Sequence, residues 1–136
     1  MPEEFTASIS HKEGFAFAIA RPLVGGSTLG VDCEVVGTRD RSGIARKILR
    51  PAEHKRWRES GERWPTLVEL FSVKEAIYKA LTPHVPRYIG FEEAEIHSDG
   101  RIQLHLTKGE GPFVLRSVLR WEGGRLLAFV EARPGE

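Results

Sequence analysis

At Gly90 the hydrophobic period of this chain changes, and that change restricts the fold more than any other feature. Before it, Pro65 and Thr66 open a run whose apolar residues recur at helical spacing through Leu81, where Pro83 and Pro86 stop it. After it the period is two. Phe91 to His97, Arg101 to Thr107, Phe113 to Glu122 and Arg125 to Ala132 read as four strands, turned by Ser98-Asp99-Gly100, Gly109-Glu110-Gly111 and Gly123-Gly124. Upstream, Phe15 to Ala20 reads as a short buried strand closed by Arg21-Pro22 and Gly25-Gly26, and Leu29 to Val36 as another. Asp40 to Leu49 has the spacing of one helix, and Pro51 suits the first turn of a second that runs to about Ser60. The order β-β-α-α-α-β-β-β-β predicts an α+β fold, an antiparallel sheet with helices packed on one face. At 136 residues, 1–136 is expected to be a single domain.

Composition narrows the partners. A net charge of +1 argues against nucleic-acid binding through a broad basic surface, while leaving room for a local phosphate pocket. Cys33 is alone, so neither an internal disulfide nor a zinc cluster is expected. No apolar run approaches the roughly 20 residues that span a bilayer, and the Met-Pro-Glu-Glu start lacks a signal-peptide pattern. The expected compartment is the cytoplasm, with no membrane partner.

Two acidic signatures stand about forty residues apart. In Gly30-Val31-Asp32-Cys33-Glu34, residues two apart on a strand face the same way, so Asp32 and Glu34 present their carboxylates together. In Phe71-Ser72-Val73-Lys74-Glu75-Ala76-Ile77-Tyr78-Lys79, Ser72, Glu75 and Lys79 share one sector of a helix. Leu67, Leu70, Ile77 and Leu81 share the sector expected to face the core. Two like charges on one side of a largely apolar strand repel, and a bound cation relieves that; an exposed face of an edge strand also would. Oxygen ligands and a nearby phosphate favour Mg2+. Lys74 falls in the apolar stripe, where its stem can pack with the ammonium at the surface, or the charge can meet a phosphate or carboxylate. Glu53 reads as a first-turn glutamate favoured by the helix dipole.

At these residues the chain resembles the 4′-phosphopantetheinyl transferases of the surfactin and enterobactin type. Their pattern is Gly-(Ile/Val)-Asp-x-Glu on a strand followed by (Trp/Phe)-Ser-x-Lys-Glu-(Ala/Ser)-x-x-Lys on a helix. A third signature, a Ser-His pair opening a strand upstream, is matched by Ile9-Ser10-His11 before Phe15 to Ala20. The resemblance implies a phosphopantetheinyl transferase-like half-domain. It implies that Asp32, Glu34 and Glu75 hold Mg2+ on the pyrophosphate of coenzyme A. Lys79 then contacts the phosphates and offsets charge on the leaving group, Lys74 supports the same phosphate site, and Ser10 and His11 contact coenzyme A phosphates. Glu75, Lys79 and Glu53 form the implied catalytic set, with Glu53 or a water on the metal as base. The implied reaction moves 4′-phosphopantetheine from coenzyme A to a serine of an acyl or peptidyl carrier protein, releasing adenosine 3′,5′-bisphosphate. Surfactin-type enzymes have two similar halves. The resemblance therefore implies one of three states: part of a larger synthase, a homo-oligomer (trimer or dimer), or an incomplete half-enzyme that keeps the motifs as a carrier-protein docking module.

Overall fold

The computed structural model describes residues 5–12, 14–22, 25–35 and 42–135. Three strands come first: β1 (Phe5–Lys12), β2 (Phe15–Pro22) and β3 (Thr28–Val35). A 3-10 turn over Ser42–Ile44 leads into α1 (Ala45–Ile48), followed by α2 (Pro51–Glu59) and α3 (Trp64–Leu81). A second 3-10 turn, Phe91–Glu93, precedes β4 (Ala94–Ile96), β5 (Ile102–Leu104), β6 (Phe113–Glu122) and β7 (Arg125–Pro134). The fold is α+β with antiparallel pairing throughout the ladders: β1 with β2, β4 with β5, and a three-stranded sheet in the order β3-β7-β6.

Several expectations need correction. Ser10 and His11 do not open the strand at Phe15; they lie near the end of β1, a separate strand that pairs His11 with Ala16. The expected strand from Phe91 begins only at Ala94, because Phe91 turns in to stack near Phe71 and Tyr78, with ring centroids 5.8 and 5.3 Å away. Arg101 to Thr107 contracts to Ile102–Leu104. The helix expected over Asp40 to Leu49 is a 3-10 turn and one α-helical turn, with Asp40 outside the described residues, as is Val36 at the end of the second strand.

β1 runs alongside β3 in the same direction without a backbone ladder among the described residues. Its alternate residues Thr6, Ser8 and Ser10 are buried against β3, and two of their hydroxyls do what a neighbouring strand would do. The Val31 N–H donates to Ser8 Oγ (3.0 Å) and the Cys33 N–H to Ser10 Oγ (3.1 Å). Buried backbone donors need partners, and hydroxyls supply them here. The other face of β1 and β2 is exposed: Phe5, Ala7, Ile9 and His11 with Ala16, Ala18 and Ala20.

α3 crosses β3 and β7, and its Val73, Ala76, Ile77, Ala80 and Leu81 join Val130, Ala128 and Ala132 in the main core. A second cluster gathers Ala45, Ile48, Trp57 and Leu67. Leu70, expected in the core stripe, is only half-buried. The depth of the crossing is set at Gly30. A Cβ there would lie 1.9 Å from the Ala76 carbonyl oxygen and 2.7 Å from the Ala80 nitrogen, so helix and strand backbones touch where a side chain would stand. Thr28 Oγ1 fastens the same crossing by donating to the Ala80 carbonyl.

Backbone cannot yield as a flexible side chain can, so Gly30→Ala is expected to cost about 3 kcal/mol of stability, at the upper end for an overpacked core. Urea unfolding of the two proteins measures it; equal midpoints would show that α3 is free to move off β3.

Candidate active site

The crossing of α3 over β3 brings the two acidic signatures together. Asp32 is 5 % exposed, and the fully buried Ser72 hydroxyl donates to its Oδ2 at 2.8 Å. Lys79 Nζ stands 3.6 Å from Asp32 Oδ1 and donates to the carbonyl of Val31 at 2.9 Å, with the Ile9 carbonyl of β1 at 3.5 Å. Its side chain is about a third exposed, so this ammonium also faces solvent. One lysine therefore ties α3 to β3 and β1 while keeping a charge at the surface.

The carboxylates are held in unfavourable surroundings. Burial pushes the Asp32 carboxyl above the usual carboxylate range, against the Ser72 hydrogen bond and the Lys79 charge, while the Glu75 charge raises it further. Glu75 is likewise raised by burial and by Glu34, with Lys79 opposing. Three acids thus share one electrostatic neighbourhood with one partly exposed lysine. Among the described residues, no three acidic, histidine or cysteine side chains already converge into a coordination shell. The donor chemistry nevertheless fits a hard divalent cation: oxygen ligands only, with mutual repulsion that such an ion would relieve. Glu34 and Glu75, both half-buried, are long enough to close on it by side-chain rotation.

The remaining expected residues are divided. Ser10 and His11 are neighbours on a strand and so face opposite ways: Ser10 is buried on β3, and His11 is exposed beside Ile9. Ser10 therefore does not share a surface with His11. Lys74 and Glu53 do not join the acids. Both are fully buried and paired with one another, Nζ to Oε1 at 2.7 Å. Lys74 also donates to the carbonyls of Ile48 (2.5 Å) and Phe91 (3.1 Å). Glu53 accepts from the N–H groups of Arg50 (2.7 Å) and Ile96 (2.8 Å). Sequence reasoning assigned no role to Ser72 or Ser8. The buried Ser72 follows from its helix sector, shared with Glu75 and Lys79; no periodic signal marks Ser8.

A cavity of about 260 Å³ opens beside Glu75, lined also by Tyr78, Thr82, Arg87, Tyr88 and Phe91. Tyr78 Oη has no hydrogen-bond partner among the described residues. Arg87, which walls the cavity, is clasped by Glu93 (2.6 Å) and Glu110 (2.7 Å).

A profile of the 4′-phosphopantetheinyl transferase superfamily matches residues 28–130, from the first residue of β3 to within β7. The chain belongs to that superfamily. Its relatives include the 4′-phosphopantetheinyl transferase Svp of Streptomyces mobaraensis, 30% identical over 72% of this chain and 41% of the relative. Another is PptT of Mycobacterium tuberculosis, 31% identical over 87% of this chain and 50% of the relative. This superfamily member thus spans about half the length of the curated relatives it matches. By structure it is similar to a holo-[acyl-carrier-protein] synthase of Thermotoga maritima, with TM-score 0.63, 24% identity, and coverage of 79% of this chain and 64% of that one. It is also similar to a Chronobacterium ammoniagenes synthase solved as a complex with coenzyme A, with TM-score 0.60, 21% identity, and coverage of 81% and 98%. At those identities the likeness concerns the fold. It places this phosphopantetheinyl transferase relative in the α+β architecture of the synthases.

The raised carboxyls make a prediction. An acid whose folded-state pKa lies above its unfolded value favours folding while protonated, and that contribution is lost as pH rises through the folded pKa. Without divalent cations, Glu75→Gln is therefore expected to be more stable than the parent at neutral pH. The gap should close as the pH falls into the carboxylate range. Unfolding midpoints at several pH values test this, and a parent that is the more stable at neutral pH contradicts it.

Proposed function

We propose that this chain acts in Mg2+-dependent transfer of 4′-phosphopantetheine from coenzyme A to a serine of an acyl or peptidyl carrier protein, releasing adenosine 3′,5′-bisphosphate. The observation that carries the reading is the meeting of Asp32, Glu75 and Lys79 at one crossing, with Ser72 fixing Asp32. Asp32, Glu34 and Glu75 are the residues that would hold Mg2+, which when bound supplies positive charge to the pyrophosphate. Lys79 is placed to pair with a phosphate oxygen as negative charge builds on the leaving bisphosphate. Asp32 keeps that ammonium at the rim of the site when no substrate is present. His11, exposed near the end of β1, would meet a further phosphate of coenzyme A. The cavity beside Glu75 gives the pantetheine arm room. Glu53, sealed in the interior, does not stand where a serine could reach it. The proton of the attacking hydroxyl then leaves by another group.

Phe5 and Ile9, 60 % and 65 % exposed on the face they share with Ala7 and the β2 alanines, favour a partner for that face. We assign that cover to a second copy of the chain in a homo-oligomer; incorporation into a larger synthase is the other arrangement. A catalytically incomplete docking module is the rival function. No helix among the described residues is long and apolar enough to cross a membrane, and we place the reaction in the cytoplasm, with no call for nucleic acid.

Incubation with Mg2+, coenzyme A and an apo carrier protein separates enzyme from docking module. The carrier is expected to gain about 340 Da, one phosphopantetheine arm, and Glu75→Ala to abolish the gain. Binding of the carrier without any mass change, at high concentrations of folded protein, would falsify the enzymatic reading. Asp32→Asn and Glu34→Gln should each raise the Mg2+ needed for half-maximal rate by about tenfold or more. An unchanged requirement removes the substituted residue from the metal site. Sedimentation at micromolar concentration should show more than one copy per particle, and a strict monomer contradicts the assigned cover.

A further inference from the structure

Lys74 and Glu75 are neighbours in sequence with opposite destinations. Glu75 faces the site, while Lys74 is 0 % exposed and paired with Glu53, also 0 % exposed. An ammonium has three donors, and here each has an acceptor: Ile48 O, Glu53 Oε1 and Phe91 O. Glu53 has both oxygens occupied as well, with the Arg50 N–H on Oε1 and the Ile96 N–H on Oε2. The pair therefore joins the end of α1, the start of α2, the 3-10 turn before β4, β4 itself and the middle of α3. A substrate could reach either side chain only if those segments parted.

Buried ion pairs contribute little net stability, because desolvation offsets most of the attraction. What a fully satisfied buried network does supply is a single permitted arrangement. On its β3 side α3 is held by backbone contact at Gly30 against Ala76 and Ala80 and by the Ser72, Lys79 and Thr28 links, and on another side by Lys74. Rotating or sliding α3 would break three hydrogen bonds to a buried ammonium. That rotation is the coordinate that decides whether Glu75, one residue on, faces Asp32.

We propose that the Lys74–Glu53 pair consists of positioning residues: it sets the rotation of α3 and so presents Glu75 to the cation shared with Asp32 and Glu34, without touching the substrate. The proposal rests on the functional reading above for the identity of the cation site. The direct alternative, in which Lys74 binds a phosphate and Glu53 takes the serine proton, predicts a different kinetic pattern.

The test compares the parent with Glu53→Gln, which keeps the volume and an acceptor, and with Lys74→Met/Glu53→Gln, which removes both charges. Circular dichroism first establishes a temperature at which each is folded. Mn2+ binding in the presence of coenzyme A is read by electron paramagnetic resonance, and carrier modification is measured at saturating Mn2+. The expected result is Mn2+ affinity weakened by about tenfold or more in the variants, the usual effect of disturbing the groups that orient a metal ligand. The rate at saturating Mn2+ should stay within about threefold of the parent, since no transition-state contact has been removed. A rate loss of about a hundredfold or more with unchanged Mn2+ affinity assigns the pair to the substrate and overturns the proposal. Lower thermal stability with unchanged affinity and rate makes it purely structural, which also overturns it. If the double variant does not fold, Glu53→Gln alone decides by the same two readouts. A parent that binds Mn2+ but modifies no carrier defeats the functional reading while the binding comparison still decides this one. A parent that binds no Mn2+ defeats both.

Discussion

The contact on which the site depends is one between backbones. α3 lies so close to β3 that the Ala76 carbonyl and the Ala80 nitrogen occupy the space a side chain on residue 30 would fill. Everything chemical at the crossing follows from that separation. Ser72 can reach Asp32 with a short hydroxyl, Lys79 can cap the Val31 carbonyl, and Glu75 can feel the field of Glu34. A helix packed on a strand at the ordinary distance, with a side-chain layer between, would leave these groups out of hydrogen-bond range of one another.

The crossing also explains why a cluster of acids can persist in a half-buried place. Burial disfavours the charged forms of Asp32 and Glu75, and the Ser72 hydroxyl, a hydrogen bond with Glu34 and the Lys79 ammonium offset only part of it. Such incomplete compensation suits the cation of the proposed function, because full satisfaction by protein groups would leave nothing for an ion to add. Lys74 and Glu53, one residue and one helix away, show the opposite arrangement: every donor and acceptor is taken, and the pair is closed to solvent.

The sequence disclosed those parts of the fold where burial and polarity agree. β6 starts and ends where alternation predicts, β7 begins there and runs on to Pro134, and α3 opens one residue before Pro65 and ends ahead of Pro83. β1 was hidden because its inward residues are Thr6, Ser8 and Ser10, an inverted pattern that makes sense only once the unpaired N–H groups of β3 are known. Phe91 looked like the start of a strand because its apolar side chain fits one; its stacking on Tyr78 and the capture of its carbonyl by Lys74 are tertiary facts. The acids and Lys79 were legible because strand and helix periods each align them. The partner of Lys74 was not, since Glu53 lies 21 residues away on another helix and periodicity says nothing about such a distance.

The hydroxyl links between β1 and β3 bear on how the molecule breathes. A ladder joins two strands at every second residue, whereas Ser8 and Ser10 attach β1 by two hydroxyls, and the hairpin is held further by the reach of Lys79, by Arg21 on Glu131 and Ser27, and by the packing of Phe17 on Phe129 and Arg125 on Phe15. The β1–β2 hairpin, internally laddered along its whole length, is thereby a unit that can lift away with its own hydrogen bonds intact. Amide exchange at Val31 and Cys33 would report that lifting selectively, ahead of the pairing of β3 with β7. His11 rides on the hairpin and the acids do not, so under the proposed function a ligand spanning both would join parts of the protein with different opening energies and act as the missing rungs.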